Sequence, residues 1–156
     1  GKEDLFCAVV ADTVADLKGV VKQRCAIPVE ELSDEELVTA WEMNESMLWW
    51  FRFLHERRDG FLLLIKCSDG TRYTNFQHDW VETMTGKSYE YFLEAKKRGL
   101  TRTTISRDEM HILLSAFWTT IYEPFIHGYT WDQIETHCQL ICTLFNWQQV
   151  LGFPSM

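Results

Sequence analysis

The stretch Phe61-Leu62-Leu63-Leu64-Ile65-Lys66-Cys67, followed by Ser68-Asp69-Gly70-Thr71 and Arg72-Tyr73-Thr74-Asn75-Phe76, decides the predicted fold class. The outer segments have the apolar and aromatic character of short strands. The Asp-Gly pair suits a type I′ turn, because that turn needs positive φ at both central residues. We therefore predict a β-hairpin over about residues 61–67 and 71–76. Because a lone hairpin is marginal in water, we expect it to lie against helices.

Apolar residues at helical spacing flank the predicted hairpin on both sides. The spacing predicts a helix from about Glu3 to Val21. The patterns S-x-x-E at Ser33 and Ser106 and T-x-x-Q at Thr130 are capping boxes, which satisfy free backbone N–H groups at a helix start. We expect helices over about 33–55, 79–84, 88–98, 106–123 and 130–151, with Pro124 ending the fourth of these. The prediction is one predominantly helical α+β domain over residues 1–156, with five or six helices and one hairpin.

Composition indicates an ordinary globular protein. Apolar residues make up 46% of the chain and charged residues 24%. The five cysteines include no CxxC pair, which is typical of reduced thiols in a cytoplasmic protein. The sequence has no uninterrupted apolar run of about 18 residues, so no membrane partner is expected. We therefore expect a cytoplasmic location.

Positive charge is concentrated between Lys87 and Arg107, in a chain whose net charge is −8. Aromatic residues interleave with these cations, as in many proteins that bind single-stranded nucleic acid. The acidic chain as a whole disfavours such binding. One alternative hypothesis is therefore a module that binds nucleic acid or an acidic ligand through Lys96, Lys97, Arg98 and Arg102.

Motifs for catalysis and metal binding are incomplete. Thr85-Gly86-Lys87-Ser88 resembles the end of a phosphate-binding loop, but Val81 stands where the first glycine belongs. The histidines and cysteines lack the spacing of metal ligands, so we expect no metal and no cofactor. A further alternative is a small enzyme with an acid–base site near His111, although enzymatic activity is not the favoured interpretation.

The seven tryptophans are the main compositional surplus. Helical periodicity places Trp41, Trp50, Trp118 and Trp131 on inward faces, as core residues. Aromatic side chains outside the core often anchor protein interfaces. The leading hypothesis is a non-catalytic regulator or inhibitor that occupies the surface of another protein or of a second copy of itself. The predicted contact residues lie opposite the main apolar stripe or near the C-terminus: Trp49, Phe53, Trp147 and Phe153.

Overall fold

The computed structural model describes residues 1–154, and most of them are helical. The helices are α1 (Lys2–Arg24), α2 (Asp34–Thr39), α3 (Glu45–Glu56), α4 (Arg58–Cys67), α5 (Phe76–Lys97), α6 (Arg107–Ile126), α7 (Trp131–Leu144) and α8 (Trp147–Val150). A short 3-10 turn, Val29–Glu31, joins α1 to α2. None of the helices in this part of the chain is long and apolar enough to cross a lipid bilayer.

The predicted β-hairpin is wrong, and the α+β class is wrong with it, because residues 1–154 contain helices and no strand. The leucine-rich run belongs to α4, where Phe61 and Leu64 are fully buried and Leu62 and Leu63 are only half-buried. Burial therefore recurs every third residue, which is the helical period and not the alternation of a strand. The sequence of a short apolar run does not by itself distinguish a buried strand from a buried helix. Packing of this segment against α1 favours the helix.

The Asp-Gly pair forms a different turn from the one predicted. In residues 1–154 only glycines have positive φ, so Asp69 cannot occupy a type I′ turn. Gly70, at φ 78°, instead turns the chain just after α4. The backbone N–H and hydroxyl of Thr71 both donate to the carbonyl of Ser68, and α5 begins at Phe76. Residues 68–75 therefore form a tight link between α4 and α5, and the residues predicted as the second strand lie in this link and at the start of α5.

The helix predicted over 33–55 is two helices. The capping box at Ser33 is confirmed, since its hydroxyl accepts from the N–H of Glu36 and Glu36 accepts in return from the N–H of Ser33. The chain then leaves the helix after Thr39, and Asn44 caps α3 by accepting from the N–H of Ser46. This break creates a linker, residues 40–44, that carries Trp41 across the side of the bundle. Conversely, the two short helices predicted over 79–98 are one continuous helix, α5.

Helix α6 continues through Pro124, which the sequence predicts as its end. Proline lacks an N–H, so the carbonyl of Thr120, four residues earlier, loses its helical donor. His137 of α7 replaces that donor, because its Nε2 lies 2.6 Å from the Thr120 oxygen. Since a carbonyl only accepts, His137 carries its proton on Nε2. The bond between these residues joins α6 to α7 where the proline opens the helix.

Buried side chains from all eight helices form one continuous core. Helices α5 and α6 pack along each other at its centre, α1 lies on α4, and α3 lies on α7. Gly60 allows α4 to approach α1, since a Cβ at this position would collide with Oγ1 of Thr13. Arg98, at the end of α5, donates to three backbone carbonyls between α1 and α2 and to two carboxylates. These contacts hold residues 25–33, which join α1 to α2, against the bundle.

Candidate ligand pocket

A pocket of about 290 Å³ opens on the side of the bundle, between α1, the 40–44 linker, α3, α5, α6 and α8. Its walls are mainly aromatic and thioether groups, and we call it the indole pocket. Five of the seven tryptophans line it, together with three methionines. The lining tryptophans are Trp41, Trp50, Trp80, Trp118 and Trp147. No other feature of the described residues gathers so much aromatic surface around an open volume.

The indoles reach the pocket from separate parts of the sequence. Trp41 comes from the 40–44 linker and lies against Trp147 of α8, with ring centroids 6.3 Å apart. Trp80 of α5 lies against Trp118 of α6 at 6.0 Å. These distances are typical of aromatic pairs in protein cores. The pocket is thus a gap between two tryptophan pairs, and its shape depends on the linker as well as on the bundle.

Two of these indoles have unsatisfied hydrogen-bond donors. Trp118 donates from Nε1 to Oε1 of Gln77 at 3.0 Å. The Nε1 atoms of Trp41 and Trp80 are shielded from water and have no hydrogen-bond partner among residues 1–154. Both side chains are only 8% exposed. A buried N–H without a partner costs about 1–3 kcal/mol, and native proteins rarely keep one without a reason.

Among the residues that line the pocket, only Arg24 and Glu42 are charged. Arg24 is exposed, and its guanidinium lies over the rings of Trp49 and Trp50, at 4.6 and 5.1 Å from their centroids. Glu42 accepts a hydrogen bond from the side chain of Asn44 at 3.0 Å. The pocket therefore has one charge of each sign and a neutral aromatic interior.

The residues predicted to contact a partner occupy different environments. Trp49 is 40% exposed and stacks on Phe53, with centroids 5.3 Å apart. Phe53, Trp147 and Phe153 are buried. Trp147 lines the indole pocket, and Arg24 covers one side of Trp49. Of the four, Trp49 is the one whose ring presents substantial surface to solvent.

The predicted basic residues lie near the end of α5 and in the loop that follows it. Arg98 is occupied by the carbonyl and carboxylate contacts described above. The ammonium of Lys96 donates to the hydroxyl of Thr104 at 2.9 Å. Lys97 and Arg102 are exposed. The four side chains do not form one surface of free cations, because two of them hold local structure.

His111 lies beside a carboxylate, as the enzyme hypothesis requires. Its Nδ1 is 2.8 Å from Oε1 of Glu82, although the two are not aligned as a hydrogen bond. Arg107 contacts the same carboxylate at 3.2 Å. In residues 1–154, no three His, Cys, Asp or Glu side chains converge in a way that could hold a metal ion. The arrangement is a surface charge cluster between α5 and α6.

The nearest pair of thiols is Cys138 and Cys142, whose sulfurs are 4.0 Å apart on one face of α7. Burial, together with the neighbouring Cys142, raises the pKa of Cys138 to about 12. Burial also raises the pKa of Cys142. Because a thiolate and not a thiol is the nucleophile, these residues behave as apolar packing groups at neutral pH.

Sequence reasoning found the tryptophans and missed the pocket. Periodicity predicts Trp41, Trp50, Trp118 and Trp131 as core residues. Trp41 and Trp118 are buried, whereas Trp50 and Trp131 are only partly buried. Periodicity does not show that the space between the indoles is open. The one available signal is the number of tryptophans, seven, since each buried indole N–H needs a hydrogen-bond partner. No protein-family model, curated protein or solved structure matches this chain.

Proposed function

We propose that this protein binds a small, largely apolar molecule in the indole pocket. The observation that carries the proposal is an open pocket lined by five indole rings, two of which, Trp41 and Trp80, have buried N–H groups without a hydrogen-bond partner. Protein interiors are normally filled, with few voids larger than a water molecule. Ligand sites are concave, mainly apolar, and carry a few polar groups that orient the ligand. The indole pocket has each of these properties.

Naphthalene is a suitable first probe, because it has two fused rings and no polar group. We expect saturable binding with one site per chain, measured by ligand-observed NMR. Ser88 lines the pocket from α5, so Ser88→Phe should fill part of it and weaken binding at least tenfold. Thr83→Phe places the same ring on the exposed side of α5 and should leave binding unchanged. Absence of binding to the wild-type protein, or equal binding by both variants, would remove the proposal.

A second candidate function is self-association through the outer face of α7, and it continues the hypothesis of a protein partner. Leu140 and Leu144 of α7 are 65% and 72% exposed. From residue 136 to residue 156 the sequence contains no Lys, Arg, Asp or Glu. An exposed apolar surface without charges is typical of a protein interface.

A second copy of the chain is the partner that this surface fits. Two chains that each carry a net charge of −8 repel each other, and an uncharged face lets them meet without burying an unpaired charge. In a two-fold dimer, the same patch of each subunit covers the other. Burial of two leucines per subunit supplies an apolar centre for such a contact.

Solution mass tests self-association. Sedimentation equilibrium should give about twice the chain mass of 18.4 kDa for the wild type. The Leu140→Glu, Leu144→Glu double variant should sediment as a monomer, because it places carboxylates at the centre of the contact. Leu93→Glu, which alters an exposed leucine of α5, should leave the dimer intact. A monomeric wild type at 100 µM, on the order of the weakest specific dimers, would refute this candidate.

A further inference from the structure

We infer that the indole pocket selects a neutral aromatic molecule of one or two rings that carries a hydrogen-bond acceptor and few donors. This inference rests on the proposed function, because it names the class of ligand that the same pocket takes. Three properties of the pocket lead to it: the kind of hydrogen-bonding group in its walls, its charge, and its size.

Trp41 and Trp80 each bring an N–H donor without an acceptor to the residues that line the pocket. An indole N–H donates and cannot accept, so Trp41 and Trp80 can be satisfied only by an acceptor. Both nitrogens are unpartnered among the described residues and shielded from water. Apart from backbone atoms and Glu42, the lining groups that can accept are the hydroxyls of Ser46 and Ser88 and the sulfurs of the methionines. A ligand with a ring nitrogen, carbonyl or ether oxygen therefore matches the walls better than one rich in N–H or O–H groups.

Charge and size narrow the class further. Arg24 and Glu42 are the only charged residues among those that line the pocket, and their charges cancel. A charged ligand would lose its hydration without gaining a net opposite charge inside. The volume of 290 Å³ is about twice that of an engineered cavity of about 150 Å³ that holds benzene. Two fused rings with a small substituent fit this space.

Both indole nitrogens are closed to water in this structure, so an acceptor reaches them only when side chains of the walls move. Met43, Met47 and Met84 line the same pocket, and a methionine side chain has three rotatable bonds and a polarizable sulfur. Met43 and Met84 are only partly buried. Trp41 sits on the 40–44 linker, outside any helix, so its ring can shift with less cost than one fixed on α5. We therefore expect Trp41 to be the more adaptable donor of the two.

The test compares quinoline with naphthalene, which has the same shape but lacks the ring nitrogen. Dissociation constants for both probes are measured at pH 7.5 for wild type, Trp41→Phe, Trp80→Phe and Trp131→Phe. Each of the first two variants removes one N–H and keeps an aromatic ring. Trp131 does not line the pocket, so its variant is the matched control. Trp41→Phe or Trp80→Phe should weaken quinoline binding about tenfold, the effect of one buried hydrogen bond. Naphthalene binding should change less than twofold.

The possible outcomes separate the two proposals. If naphthalene does not bind the wild type, the proposed function fails. If naphthalene binds and neither indole variant affects quinoline more than naphthalene, the proposed function stands and the acceptor inference is overturned. Should a variant lose its fold, the wild type still decides, because quinoline should move the indole N–H proton of Trp41 or Trp80 downfield and naphthalene should not. An equal response of both resonances to the two probes would also overturn the inference.

Discussion

The hydrogen bond between His137 and the Thr120 carbonyl makes a specific prediction about stability. Pro124 removes the N–H that this carbonyl would use in an unbroken helix, and His137 Nε2 replaces it at 2.6 Å. The substitution His137→Phe removes the donor and keeps an aromatic ring between Phe51 and Tyr129, whose centroids lie 5.9 and 6.1 Å from that of the imidazole. The change therefore isolates the hydrogen bond better than a substitution by alanine.

The expected cost follows from what the carbonyl loses. A neutral hydrogen bond contributes about 1 kcal/mol net, and a buried acceptor left without a donor costs up to about 3 kcal/mol. Because Thr120 is half-buried, water can partly replace the donor. We expect His137→Phe to lower the free energy of unfolding by about 1–2 kcal/mol. For a chain of this size, that is a fall in Tm of about 2–8 °C.

A double-mutant cycle with Pro124→Ala tests the cause. Alanine at 124 restores the N–H that bonds to the Thr120 carbonyl, so His137→Phe should cost less than about 0.5 kcal/mol in this background. Urea unfolding of the four proteins, followed by circular dichroism with a common m-value, gives the coupling energy. If His137→Phe lowers the free energy of unfolding equally with proline and with alanine at position 124, then His137 does not replace the donor that the proline lacks.

Four further substitutions test three other features of the structure. Gly60→Ala should destabilise the protein by about 1–3 kcal/mol, because the new methyl group collides with Thr13. Gly19→Ala, at a position of α1 where a methyl group contacts nothing, should stabilise the protein by up to about 1 kcal/mol. Equal changes of Tm in the two variants would contradict this. Arg98→Lys should lower the urea concentration at the midpoint of unfolding, because an ammonium cannot span the carbonyls that the guanidinium joins, and an unchanged midpoint would count against that role. Burial raises the pKa of Cys138 from 9.0 to about 12, so above about pH 9 the folded state keeps a proton that the unfolded chain releases. The free energy of unfolding should therefore fall between about pH 9 and 12. This fall should be shallower in Cys138→Ala, and an equal slope in both proteins would contradict the shift.

The helix starts could be predicted because their chemistry is local. Ser33, Ser106 and Thr130 each accept a hydrogen bond from the backbone N–H three residues later, as their sequence patterns predict. The hairpin could not be rejected from local sequence, since the apolar run at 61–67 suits a buried helix as well as a strand. The continuation of α6 through Pro124 depends on His137, a residue in the next helix. In both cases a long-range contact decided the outcome.

The pocket was beyond prediction for a related reason. Its lining residues come from six separate segments, and a volume between them depends on how those segments cross. Helical spacing correctly directed Trp41 and Trp118 toward the interior. It placed Phe53 on the outer side of its helix, yet Phe53 is buried beneath Trp49 and Arg57, whose guanidinium carbon lies 3.9 Å from the Phe53 ring centroid. Periodicity assigns a face to a residue and does not show what covers that face.

A crystal structure of the protein with quinoline shows directly whether the indole pocket holds an aromatic ligand. We expect electron density for the ring inside the indole pocket, with its nitrogen within hydrogen-bond distance of Nε1 of Trp41 or Trp80. An empty pocket at saturating quinoline, or a ring bound only elsewhere on the protein, would contradict this expectation.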